Sequence, residues 1–559
     1  MKRIIAVILA IMLLAICCAC GRDKANKNNA EKKNNTSSHG SDDTSSGDGD
    51  EVDPADDQSL MPGSVSLEDD TVTETYITVD DDNNITEVLP EYGTAPATLN
   101  TKWNADCTRK SGYSDAQANA LREKVLGSGN TASIYKITGT TYYVSPRGND
   151  DNDGKSPQRA FKTTKASVFS RNILKPGDAV LFERGGLWRL TNPVKCKAGV
   201  IYGSYGEGEK PTFYGSVYNY ANSEFWVPST RENIWKVTVA DIDVGLIVFN
   251  HGEMVGTKKL NGLIALEKNG DFYFNRNQDT VYLYYDGGNP GKVFKDIEIG
   301  LKKSAFTAGN APDITIDNIR IKYIGACGIS VCGCDNFTVT NCEVGFIGGA
   351  IQSGTLRYGN GIQVWNGVDG HIIENCWIYQ VYDAAISFQG DYTYSAVRMS
   401  DEYKDITYKG NLFEYSTYSV EFWHANSGDI TKGISDAVIK NFQCVDNISR
   451  FAGYGFGRQR PDHAGYHICV FSHTFPNAES NAIKNNIFDC SDSYIVRWNF
   501  STDSNYGEWD ISGNTYFHGK NRFGDAIWYG GMRNAGNLST LEAAIRLFDS
   551  NPKSITWIG

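Results

Sequence analysis

Four short phrases late in the chain share one form: GIQVW, AISFQ, SVEFW and YIVRW. Aligned, they put Ile362 and Val364, Ile386 and Phe388, and Val420 and Phe422 on one side of a strand. Alternation then sends Gln363 and Trp365, Ser387 and Gln389, and Glu421 and Trp423 to the other side. Aromatic faces stack on sugar rings and planar amides bind hydroxyls, so the stripe suits an extended polymer better than a small metabolite. Glu421 is the residue to explain, because an acid between Val420 and Phe422 on a packed strand is costly without a role. Cleaving a glycosidic bond calls for two carboxylates flanking it. Asp383 and Asp391, one phrase earlier, and Asp462, one later, are the acids that could work with Glu421. His424 extends the stripe, and Arg458, Arg460, His463 and His467 fall together in the loop-like GYGFGRQRPDHAGYH.

The same residues admit other chemistry. Glu421 could be a structural acid paired with Arg458 or Arg460, since ion-pair networks imitate sites. Elimination from a uronic acid would use an arginine or a calcium ion on the sugar carboxylate. The compact cluster of aspartates that calcium would want is not evident. A bidentate arginine would equally suit a hydrolase acting on acidic glycans. A glycan-binding or adhesin protein would need the stripe but no paired carboxylates. Three readings therefore stay open: glycoside hydrolase, polysaccharide lyase and non-catalytic binder.

These strands belong to a larger pattern. DITIDNIRI, FTVTNCEV, HIIENCWI, ITYKGNLF, AVIKNFQC, AIKNNIF and WDISGNTYF repeat strand, Asn, strand. The asparagines are Asn318, Asn341, Asn375, Asn411, Asn441, Asn486 and Asn514, at irregular spacing. One such unit cannot bury its apolar side alone; stacked units can, about 4.8 Å apart. The expected fold is all-β, a solenoid with insertions of varied length and an asparagine at one corner. At these residues the chain resembles the right-handed parallel β-helix proteins of the pectate-lyase type. A second resemblance lies in YYVSPRGNDDNDGKSPQRAFKTTKAS, LKPGDAVLFERGGLWR and VIYGSYGEGEKPTFYGS, phrases similar to the opening coils of secreted β-helix carbohydrate enzymes. YDAAISFQG, YSVEFW and GYGFGRQRP are similar to phrases recurring in uncharacterised secreted β-helix proteins, which implies a shared cleft and names no substrate.

The remaining segments frame the solenoid. Residues 1–20 carry Lys2 and Arg3, an apolar run and CCAC, and resemble a bacterial lipoprotein signal with lipid on Cys20. That implies a protein lipid-anchored on the extracellular side of a bacterial membrane. Residues 21–94 read as a disordered acidic linker, which holds essentially all of the chain's net charge of −13. Residues 95–218 read as an N-terminal cap and first coils, with a helix over 114–126 N-capped by Ser114 that either caps the first coil or packs elsewhere. Residues 219–300 suggest an antiparallel β-insertion, 301–518 the main coils, and 519–559 a C-terminal cap with a helix near Leu538–Phe548. The acidic loop at 149–153 offers oxygens to calcium, although such a loop is more often a solvated turn. No other cofactor is implied. The 13 cysteines lack zinc-site spacing, and Cys342 and Cys376, each after a recurrent Asn, read as buried thiols. Nothing resembles a basic nucleic-acid stripe, a P-loop or a dinucleotide fingerprint. The expected partner is a polysaccharide, and the expected state a monomer.

Overall fold

In the computed structural model the residues described are 85–88, 112–170, 172–366, 368–390, 402–424, 438–461, 464–470, 480–498, 509–521, 525–529 and 532–558. Each turn of the chain passes through three short strands, and each strand pairs in parallel with its counterparts one turn before and after. One turn comprises Phe337–Thr340, Glu343–Ile347 and Ile362–Trp365. The next uses Val368–Glu374 and then Trp377–Gly390, a long strand that serves both remaining ladders. Leu412–His424 does the same one turn later. Among the described residues the first strands make a ten-stranded sheet, and the second and third merge into one of 19 strands. This is a parallel β-helix.

Its core follows from alternation. Ile316, Val339 and Ile373 stack from the first ladder, Ile321, Val344 and Ile378 from the second, and Ile362, Ile386 and Val420 from the third, all essentially buried. Each such side chain contributes about 1.5–3 kcal/mol of burial. Phe161, Ala166 and Val168 join this core beside the first strands, and Leu541, Ala544, Ile545 and Phe548 of the helix Leu538–Phe548 join it at the other end. The strand Ser554–Trp557 follows that helix and pairs with Thr515–His518, so strand pairing runs on beyond residue 518.

The corner differs from the sequence reading in an instructive way. The recurrent asparagines divide between adjacent columns. One column takes the left-handed backbone: Asn318, Asn341, Asn375, Gly410, Asp446, Asn485 and Gly513, all at φ between 53° and 71°. The next column is Cys342, Cys376, Asn411, Asn447, Asn486 and Asn514. Within it, Asn411 N and Nδ2 donate to Asn447 Oδ1 at 2.9 and 3.0 Å, Asn447 donates likewise to Asn486, and Asn486 to Asn514. Each Nδ2 also reaches a carbonyl of the preceding turn, as from Asn447 to Tyr408 O at 2.9 Å. Asn341 and Asn375 are thus turn residues, and Cys342 and Cys376 fill the ladder position as buried free thiols. Asn441 belongs to neither column. It sits at φ 51° inside the strand Val438–Val445 and donates to Asp405. Asn447 is the true member there.

The helix Asp115–Leu126 lies along the flank and not over an end. Its Arg122 donates to Glu414 at 2.8 Å and covers the Trp377 ring at 4.8 Å, while Lys124 reaches Asn375. Ser114 caps nothing: its hydroxyl donates to Asp489 at 2.7 Å. A helix whose buried face carries an arginine seeks carboxylates, and the apolar end of a solenoid has none to give. The strand Ile85–Val88, within the stretch read as linker, pairs antiparallel with Gly186–Arg189. In the 149–153 loop, Asp150 accepts from Lys162 N and Thr163 N, and Asp153 from Lys155 N, so both carboxylates are tied to local backbone. The insertion forms two mainly antiparallel sheets, one around Ile234–Thr238, Asp271–Asn275 and Thr280–Tyr284 with Thr257–Lys258 added in parallel at its edge, the other around Val244–Phe249 and Ile297–Leu301, with its own core.

Two measurements check this architecture. Asn447→Ala strips several bonds from a buried column and should cost roughly 2–4 kcal/mol in urea unfolding, whereas Asn441→Gly, which keeps the exposed left-handed turn, should change little. His371 is fully buried between Phe337 and Tyr408 with neither ring nitrogen hydrogen-bonded, and burial lowers its pKa to about 3. A depressed histidine keeps its full stability above the unfolded value near 6.5 and loses it as pH falls toward the folded value. His371→Phe should therefore gain about 2 kcal/mol relative to the parent at pH 5, and none of this pH-dependent gain at pH 8.

Candidate active site

The third ladder puts the expected stripe in register. Gln363 pairs with Ser387 and Ser387 with Glu421, while Trp365 pairs with Gln389 and Gln389 with Trp423. The next turn is not YIVRW, as the phrase alignment suggests, but YHICV. Cys469 stands beneath Glu421, and Arg497 one turn further. The segment Tyr466–Val470 is therefore a coil strand and not part of a loop.

Glu421 is 6% exposed. Ser387 Oγ donates to its Oε2 at 2.6 Å and Gln389 Nε2 to the same oxygen at 2.8 Å. Behind Gln389 stand Gln363, whose Nε2 donates to Gln389 Oε1 at 3.4 Å, and Cys327, whose thiol donates to Gln363 Oε1 at 2.9 Å. A carboxylate can only accept, so this relay fixes the orientation of both amides. Burial pushes the Glu421 pKa up to about 7, helped by the negative charge of Asp383 and opposed by the Ser387 bond, Arg460 and the Gln389 bond. Both bonds fall on Oε2.

Each arginine of the loop has a carboxylate partner other than Glu421. Arg460 pairs with Asp383, and Arg458 Nη1 lies 3.1 Å from Asp492. Arg460 also covers the ring of Tyr418 at 5.3 Å and Arg497 that of Tyr466 at 5.8 Å. Those tyrosines form a column with Tyr494, with ring centres 5.3 and 5.4 Å apart. Asp383 is thus brought to Glu421, close enough for its charge to be felt there. Asp391, Asp462 and His463 lie outside the described residues, as does the side chain of His424.

Two residues depart from the sequence reading. His467 is 1% exposed, bonded through Nδ1 to Ser449 at 2.5 Å, and its pKa is lowered by burial to about 3, so it is a neutral core residue and not a surface ligand. Trp365 is only 4% exposed and lies 5.8 Å from Trp423, which is half-buried. Its indole N–H has no acceptor. Ser387 stood in the stripe without an assigned role, and Asp492, Arg497 and the tyrosine column were missed. Ser387 was legible from the alignment; the others needed the strand YHICV to be counted as a turn.

No protein-family model matches the chain, and no curated protein sequence is similar to it. Solved structures are similar in the course of the chain. One, the XylC protein in complex with xylose, is 12% identical over 69% of this chain and 66% of its own, with a TM-score of 0.41. A glycoside hydrolase is 9% identical over 75% and 96%, with a TM-score of 0.37, and the pectate lyase Pel9A is 14% identical over 72% and 75%, with a TM-score of 0.32. At these values the likenesses carry no argument about chemistry, which rests on this chain's own residues.

Proposed function

We propose that the chain is a carbohydrate-active enzyme, a glycoside hydrolase that cleaves a polysaccharide along the outer face of the third ladder. One observation carries the reading: Glu421 is an outward, buried carboxyl that holds a proton near neutrality, beside a second carboxylate, Asp383, that carries its charge against Arg460. A carboxyl whose pKa is raised beside an ion-paired carboxylate has the form of an acid and its partner. Glu421 gives its proton to the glycosidic oxygen as the bond to the anomeric carbon breaks, and the leaving sugar departs as an alcohol. Asp383 meets the positive charge at the anomeric carbon, either bonding to it or taking a proton from the attacking water. Gln363, Gln389 and Trp423 line the approach, with the buried Trp365 indole packed beside Trp423.

The elimination reading is weaker on this geometry. It asks Arg458 or Arg460 to bind a uronate or take a proton, and each already faces a protein carboxylate. A protonated Glu421 is also a poor base. The amino-terminal segment and its Cys20 support a lipid-anchored location outside a bacterial cell, for which retention of radiolabelled palmitate by the parent and its loss in Cys20→Ser is the test.

Purified protein lacking residues 1–20, incubated with a polysaccharide panel, should release reducing ends without the ultraviolet absorbance of an unsaturated product. Absorbance rising in step with reducing ends would mean elimination, and binding without cleavage a glycan-binding protein. Glu421→Gln should lower kcat/KM by about 10²–10⁴-fold on the polymer. It should lower it far less on an aryl glycoside whose leaving group needs no proton. Because the acid must be protonated, kcat/KM of the parent should fall as pH rises through about 7, and this limb should vanish in Glu421→Gln.

A further inference from the structure

Arg458 and Arg460 flank Gln459 at the end of a short 3₁₀ helix, Gly455–Gln459. So short a helix does not hold its own position. Its start is pinned to the coils, where Phe456 N donates to Gln380 Oε1 at 2.8 Å and Phe456 packs on Tyr382. Its end is held from the other side. Gln459 Nε2 donates to Gly256 O at 2.8 Å, and Gln459 Oε1 accepts from Lys258 N at 3.3 Å.

Both partners are backbone groups: Lys258 N lies in Thr257–Lys258, the edge strand of the insertion's five-stranded sheet, and Gly256 O immediately precedes it. The Gln459 amide therefore pairs with that edge as another peptide group would. The edge is itself anchored. Lys258 Nζ is buried against Asp243 at 2.6 and 2.7 Å and Val244 O at 2.7 Å. Arg357, stacked over Tyr382 at 4.4 Å, bridges Gly349 O and Gly245 O and comes within 3.5 Å of Gln459 Oε1. The insertion, far away in sequence, thus ends in a clamp on the residue between the two arginines.

We propose that Gln459 is a positioning residue of the acid site: by pairing with the insertion's edge strand it keeps Arg460 against Asp383, beside Glu421. The proposal rests on the reading of Glu421 as the acid. The charged and titratable groups that bear on Glu421 are Asp383 and Arg460, with Cys469 beneath it and Arg497 one turn beyond. Burial keeps Cys469 a neutral thiol. Arg460 offsets the field of Asp383. Letting Arg460 swing away leaves that field uncompensated, so Glu421 binds its proton more tightly and becomes a weaker acid.

The test is an infrared titration of the carboxyl stretch, on protein lacking residues 1–20, with the Glu421 band assigned by its loss in Glu421→Gln. Gln459→Met keeps the volume and removes both bonds. It should move the Glu421 midpoint upward by about one pH unit and the alkaline limb of kcat/KM with it. It should also lower kcat more than it changes KM. Should Gln459→Met not fold, Gln459→Asn, too short to reach the edge strand, is read in the same way. An unmoved midpoint in a folded variant overturns the positioning role, even if hydrolysis and its limb near 7 are found. A shifted midpoint in a protein that cleaves no glycan would keep the coupling and sink the hydrolase reading.

Discussion

Inside the stack a coil strand has its hydrogen-bond partners one turn above and one turn below, and such a turn is not complete without the next. The backbone groups of Ile362–Trp365 are satisfied by Ile329–Cys332 on one side and by Trp377–Gly390 on the other. Wherever a buried side chain must also be polar, the same stacking satisfies it. The Asn411–Asn447–Asn486–Asn514 column bonds the corner of each turn to its neighbour, and Asp549 Oδ2 accepts from Asn514 Nδ2 at its lower end. Above Asn411 the column changes to cysteine, and Asn411 Oδ1 accepts from Cys376 N. A thiol makes only weak hydrogen bonds, and at the upper corners the polar bonds come instead from Asp317, which accepts from Thr131, Thr340 and Asn341, and from Asn318, which accepts from Ser128 and Lys210.

This rigid stack explains how a carboxyl can be held where burial raises its pKa. Turn spacing is fixed by backbone pairing, so Ser387 and Glu421 are held at hydrogen-bonding distance by the sheet itself. The cost of burying Glu421 is thereby sustained by many cooperative bonds, and the local environment sets its proton affinity. Desolvation and Asp383 act in one direction; Ser387, Arg460 and Gln389 act in the other. Desolvation is the largest of these, which makes whatever covers the stripe as important to the acid as its hydrogen-bond partners.

The insertion gives this site a second support. It carries its own hydrophobic core, yet it reaches the coils through buried charges: Glu298 pairs with Arg189, and Asp243, paired with Lys258 inside the insertion, accepts from Ile351 N. Such pairs need close geometry to offset their desolvation, so they favour one seating of the insertion over others. The arginine turn lies where that seating meets the coils, between Gly256 and Thr417.

Strand alternation and turn chemistry act over a few residues, and the sequence by itself determined whatever depends on them. The solenoid, the inward columns, the antiparallel insertion and the outward face carrying Gln363, Ser387, Gln389 and Glu421 were all legible. Only the tertiary structure decided which turn follows which. Segments of different length intervene between strands, and nothing local marks YHICV as a turn when GYGFGRQRPDHAGYH reads as one loop. Placing that strand turns His467 into the core, puts Cys469 beneath Glu421 and stacks Tyr466 under Tyr418. The partners of Arg458 and Arg460 were settled in the same way. Several carboxylates compete for each guanidinium, and the choice depends on distances between residues brought together only when the coils stack.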